Sequence, residues 1–132
     1  MTELSALELL LGTQPGVEIT DTVTLKRLGK FTIKALTGDD LSKIREQATY
    51  PSGTGKSRKL VVNEDEVGQL LVAKATVEPD FSDAALLKHY GAANASNCVQ
   101  KALLAGGIAT IQQAVLELSG FNDADEVEEV KN

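Results

Sequence analysis

The sequence predicts an α+β domain that is mainly α: an N-terminal helix and a β-hairpin, then four or five packed helices and an acidic C-terminal tail. Three observations predict it. Apolar and polar residues alternate on both sides of Gly29, from Val23 to Ala35, with the period of a strand pair. From Thr37 onward the apolar spacing becomes helical, with capping residues before the periodic stretches and Gly or Pro after them. The composition, 42% hydrophobic over 132 residues, suffices for one domain with its own core. With 4% aromatic residues and no Trp, that core must be mostly Leu, Val, Ile and Ala. The expected organisation is a single domain over residues 1–121 and an acidic, mobile tail over 122–132. Within the domain the first helix occupies 1–12, the hairpin 22–36 and the helical body 37–121.

The first helix runs from Glu3 to Leu11, with Leu4, Leu7 and Leu11 on one stripe and Gly12 as its stop. The turn "TQPG" separates it from the rest. In the hairpin, a three-residue loop from Leu28 to Lys30 would pair Leu25 with Ile33 and Val23 with Ala35, keeping the apolar residues on one face. A helix follows from the cap Thr37, with Asp39 and Asp40 in its first turn and Leu41, Ile44 and Ala48 on its buried stripe. Pro51 stops it by Tyr50.

Asn63 caps a second helix, apolar most of the way round through Leu70, Leu71, Val72, Ala75 and Val77, which is the signature of a central helix. Pro79 ends it. Ser82 caps the next, and Gly91 closes that one. A last helical stretch, from Asn97 to Gly120, should break or bend at Gly106-Gly107, and past the break Ile108, Ile111, Val115 and Leu118 form a stripe. The tail "NDADEVEEVKN" holds five acids in eleven residues.

Several function classes fall away on composition. No apolar run reaches the roughly 18 residues of a membrane span, and the N-terminus carries Glu3 and Glu8 where a signal peptide would have Lys or Arg. The reading is a soluble chain in the cytoplasm, with no membrane partner. The lone Cys98 excludes an internal disulfide and multi-cysteine zinc patterns, and the lone His89 removes the usual His-based metal sites. Cys98 reads as a small buried hydrophobe, and His89 as an exposed or half-exposed cap near a helix C-terminus. Asp39-Asp40 and Glu64-Asp65-Glu66 sit in first turns, where capping accounts for them. No catalytic, cofactor-binding or metal site emerges.

"YPSGTGKS", residues 50–57, looks like the end of a phosphate-binding loop. The pattern G-x-x-x-x-G-K-[ST] requires Gly at position 50, which is Tyr, and a helix opening directly after the loop. The expected structure is a flexible connector instead. Residues 26–59 hold nine of the thirteen Lys and Arg but only Asp39, Asp40 and Glu46 as acids. Such a stretch could track phosphates. A single-strand binder would interleave aromatics, and Phe31, the one aromatic of the hairpin, faces the core with Leu25 and Ile33. With a net charge of −6, a solvated hairpin face, or a surface for an acidic partner segment, is favoured over nucleic acid.

Three stretches carry a family resemblance: "VTLKRLGKFTIKALTGDDLSKIREQA", "LLVAKATVEPDFSDAALLKHYGA" and "AVLELSGF". In that order and spacing the chain, from about residue 3 to 121, resembles the tail assembly chaperones of phages and prophages of Gram-positive bacteria. The resemblance implies a non-enzymatic role: binding the long helical tape measure protein, keeping it soluble, and leaving as tube subunits polymerise around it. It implies the tape measure protein as partner, with the tail tube subunit and a second copy of the chain as further candidates. The protein would then act in the host cytoplasm and be absent from the mature virion. The runner-up is a structural virion protein, a tail-completion or connector subunit, and the third is a small DNA-associated regulator. The family carries no catalytic motif, so partner-binding candidates come from the apolar stripes alone: Leu4, Leu7 and Leu11 in the first helix, and Ile108, Ile111, Val115 and Leu118 in the last.

Overall fold

A computed structural model describes residues 5–12 and 19–121. Leu4, the turn at 13–16 and the acidic tail at 122–132 lie outside the described residues. Helix α1 (Ala6–Leu11) is followed by strands β1 (Thr20–Leu25) and β2 (Gly29–Lys34), helix α2 (Gly38–Gln47), and strands β3 (Thr49–Ser52) and β4 (Lys59–Val62). Helix α3 (Glu64–Ala75), strand β5 (Thr76–Glu78) and helices α4 (Ala84–Tyr90), α5 (Ala95–Ala102) and α6 (Ala105–Leu118) complete it. The mainly helical α+β class is the one expected, with more strand than the sequence suggested.

The helix starts follow side-chain chemistry. Ser5 caps α1: its hydroxyl accepts from the Glu8 N–H at 3.1 Å while the Glu8 carboxylate accepts from the Ser5 N–H at 3.0 Å. That reciprocal cap starts α1 at Ala6, and the expected start at Glu3 lies outside the described residues. Thr37 and Asp40 build the same box at α2, as expected. Asn63 caps α3 through the Glu66 N–H. At α4 the cap is Asp83, not Ser82. Ser82 donates to the Asp80 carboxylate instead, which pulls it out of the capping position.

The first hairpin keeps its expected faces in a different register. Val23 lies opposite Phe31 and Leu25 opposite Gly29, so the three loop residues are Lys26, Arg27 and Leu28. Leu25 therefore does not pair with Ile33, nor Val23 with Ala35. The partner of Leu25 moves by an even number of residues, which leaves Leu25, Phe31 and Ile33 on the same side. The turn decides it. The Leu28 N–H donates to the Leu25 carbonyl, and Gly29, at φ 90°, takes the left-handed conformation that returns the chain.

Residues 49–62 form a second hairpin where a flexible connector was expected. Tyr50 pairs with Val61 and Ser52 with Lys59, and a 3-10 turn at Gly55–Ser57 makes the tip. The β-branched pair Val61-Val62 supplies strand propensity, and Gly53, at φ 88°, supplies the reversal. Helix α3 ends at Ala75, earlier than Pro79 alone required. Thr76 and Val77 are β-branched, Pro79 disfavours helix at Glu78, and the three residues extend to pair with β2. The resulting sheet has the order β1-β2-β5.

The last helical stretch breaks at Leu103-Leu104, both extended, and not at the glycines. Gly106 and Gly107 lie in the first turn of α6, where a Cβ on Gly107 would stand 3.4 Å from the Leu25 side chain. The glycine lets the hairpin approach the helix. At the other end of α6 the Ser119 hydroxyl accepts from the Leu36 N–H at 2.8 Å.

The core joins Phe31 and Ile33 of the sheet to Ile44, Leu71, Val72 and Ala75 of α2 and α3, and to Cys98, Val99, Ile111 and Val115 of α5 and α6. Phe31 stacks on Phe81 with ring centroids 6.3 Å apart. Helix α3 packs against α2, α5 and α6, the central position its apolar circumference implied.

Candidate interaction surface

The two apolar stripes end in opposite environments. On α1, Leu7, Leu10 and Leu11 are 65%, 71% and 76% exposed. The helix is nonetheless well capped, and Gly12 donates back to the Glu8 and Leu10 carbonyls. On α6, Ile111 and Val115 are fully buried in the core, while Ile108 and Leu118 pack against it half-buried. The α6 stripe is thus consumed by the fold. An apolar face buried on folding cannot also be offered to a partner, so the two core residues leave the accessible set.

A second apolar surface was not visible as a stripe. The tip of the first hairpin and the start of α6 enclose a groove of about 370 Å³. Leu25, Leu28, Leu103, Leu104 and Gly107 line it, with Lys26 and Arg27 at its rim. Leu28 and Leu103 also line an adjoining pocket of about 270 Å³ that reaches Phe81 and Tyr90, with Lys30 beside it. Leu104 is 64% exposed, and Leu28 is also exposed. The sequence carried two signals for this groove: an apolar residue inside a basic turn, "KRLGK", and the pair Leu103-Leu104 in an interhelical break. Neither points to the other until the chain is folded.

The titratable groups do structural work. Burial raises the pKa of the Cys98 thiol, which is fully enclosed and therefore inert. The Thr37 cap lowers that of Asp40, and the Ser5 cap that of Glu8. His89 is exposed in the last turn of α4, edge-on to Tyr90. Among the described residues no cluster of His, Cys, Asp or Glu could hold a metal ion. The Gly55–Ser57 segment forms a hairpin tip followed by β4, so no helix N-terminus stands behind Lys56 to cradle a phosphate.

Among the described residues the exposed features are thus apolar surfaces and capped carboxylates. Residues 7–131 match the family described as Phage XkdN-like tail assembly chaperone protein. The chain belongs to this family of tail assembly chaperones. The expectation drawn from the three sequence stretches is thereby met, as is the expectation of a non-enzymatic role. A crystal structure of the protein YqbN is similar, with a TM-score of 0.61 at 19% identity, covering 92% of this chain and 99% of YqbN. At that identity the likeness concerns the fold. No curated protein sequence matches the chain. A tail assembly chaperone has its partners among tail proteins. No helix among the described residues of this one is long and apolar enough to cross a membrane.

Proposed function

We propose that this chaperone binds the tape measure protein through the leucine face of α1, keeping that long helical chain soluble until the tail tube forms. The observation that carries the reading is the exposure of Leu7 and Leu11 on a helix with a complete N-terminal cap. A contiguous apolar face left in water on a formed helix marks an interaction site. Amphipathic client helices present anchors at i, i+3, i+4 and i+7 that such a face can meet. The net charge of −6 would keep the complex soluble. In this reading the protein works in the host cytoplasm and is released before the virion matures, and the tail tube subunit and a second copy are secondary partners.

The test is co-expression of the full chain with the tape measure protein, followed by pull-down and light scattering. Leu7→Glu with Leu11→Glu should abolish co-purification and leave the tape measure protein aggregated, with the far-UV circular dichroism of the chaperone unchanged. A folded double variant that still holds its client in solution would refute the α1 assignment.

A further inference from the structure

We propose that the groove between the first hairpin tip and α6 is the docking site for the C-terminal tail of the same chain, residues 123–130. The assignment is independent of the client and of α1. It starts from an imbalance at the rim. Lys26 and Arg27 line the apolar groove and Lys30 the pocket beside it, and none of them forms an ion pair among the described residues. Cations collected beside exposed leucines favour an acidic ligand that also carries apolar side chains.

The chain itself contains such a ligand. Beyond Phe121 lie Asp123, Asp125, Glu126, Glu128 and Glu129, with Val127 and Val130 three residues apart and Lys131 as the single base. Reach is not limiting. Helix α6 starts at the groove, and its 14 residues carry the chain about 21 Å away from it. The eleven residues after Phe121 can extend about 36 Å, enough to return. The end of α6 also starts the return. Phe121 donates to the Leu116 carbonyl and Gly120 to that of Glu117, with Gly120 at φ 102°, a left-handed helix stop that takes the chain off the helix axis. Docked there, the tail would cover Leu28 and Leu104, both exposed on the described residues.

A second basic site without an ion pair among the described residues, Lys56, Arg58 and Lys59 on the second hairpin, lies outside the lining of this groove. It supplies the internal control.

The experiment uses the full chain with Asn132→Cys carrying a nitroxide label. Cys98 is fully buried and stays unmodified. At low salt the label should selectively broaden the amide resonances of Leu25–Leu28 and Leu104–Gly107. That broadening should vanish with Lys26→Glu plus Arg27→Glu, weaken at high salt as screening shortens the range of the charges, and survive Lys56→Glu plus Arg58→Glu. Should the first charge reversal disturb folding, Glu126→Gln, Glu128→Gln and Glu129→Gln in the tail must remove the broadening instead. Absence of broadening at the groove, or its loss only on reversal at Lys56 and Arg58, would overturn the proposal. Labelled chains mixed with isotope-enriched unlabelled ones should show no broadening at the groove. Broadening there would make the occupant the tail of a second copy and overturn the intramolecular assignment.

Discussion

Replacing Leu71 by Ala probes whether α3 is the centre of this fold. Leu71 is 2% exposed, in one cluster with Ile44, Val99 and Ile111, and α3 packs against three other helices. The substitution reduces an isobutyl group to a methyl. At about 0.8 kcal/mol per buried CH₂ the lost transfer energy is about 2.4 kcal/mol. The walls of the resulting cavity come from several helices, so the site cannot collapse by moving one of them. The cavity adds to the loss, for a total of about 2–5 kcal/mol. Against the 5–15 kcal/mol typical of native domains, that is a large fraction. Urea melts followed by far-UV circular dichroism should show a lower midpoint at an unchanged slope. The control is Leu60→Ala on β4, where the leucine is 73% exposed and the change should stay within about 0.5 kcal/mol. A Leu71→Ala loss as small as that of the control would refute the central placement of α3.

At the tip of the second hairpin, Gly53→Ala should cost about 1–3 kcal/mol, because a Cβ would meet the Ser57 carbonyl oxygen at 2.8 Å on a backbone with φ +88°. Lys56→Ala nearby should change stability by less than about 0.5 kcal/mol. Calorimetry should find no ATP or GTP binding to the full chain, and saturable binding lost with Lys56→Ala would reverse the reading of this segment. Acid should weaken α2 through Asp40, whose carboxyl is held below its ordinary 3.8, first by the Thr37 N–H. A lowered folded-state pKa contributes stability above pH 3.8 that disappears as pH falls through the folded-state value. Asp40→Asn should therefore cost about 0.3–1 kcal/mol near neutrality, and the gap to the wild type should close in acid. A gap independent of pH would mean that the charge of Asp40 contributes nothing.

Local chemistry was legible in the sequence alone. Thr37 with Asp40, and Asn63 ahead of three acids, announce helix starts because a side-chain oxygen can satisfy only the N–H groups directly after it. Gly91 announces a stop, and at φ 61° it is one. The centrality of α3 was legible too, since a helix apolar on nearly all sides has nowhere to lie except the middle. So was the burial of Phe31 and Ile33, because an even change of register preserves faces. The hairpin register was not, since it depends on which residues take the turn, and Gly29 could close more than one loop. Strand β5 was hidden for a related reason. "ATVE" continues an apolar helical pattern, and only the free edge of β2 makes extension at Thr76 the better outcome. The fates of the two leucine- and isoleucine-rich stripes could not be separated by periodicity, which reports amphipathicity and not the partner. Tertiary packing alone placed Ile111 and Val115 in the core, left Leu7 and Leu11 in water, and brought Leu28 to Leu104 across 76 residues of chain. Burial is a property of what the rest of the chain lays against a face, and that is absent from the face's own sequence.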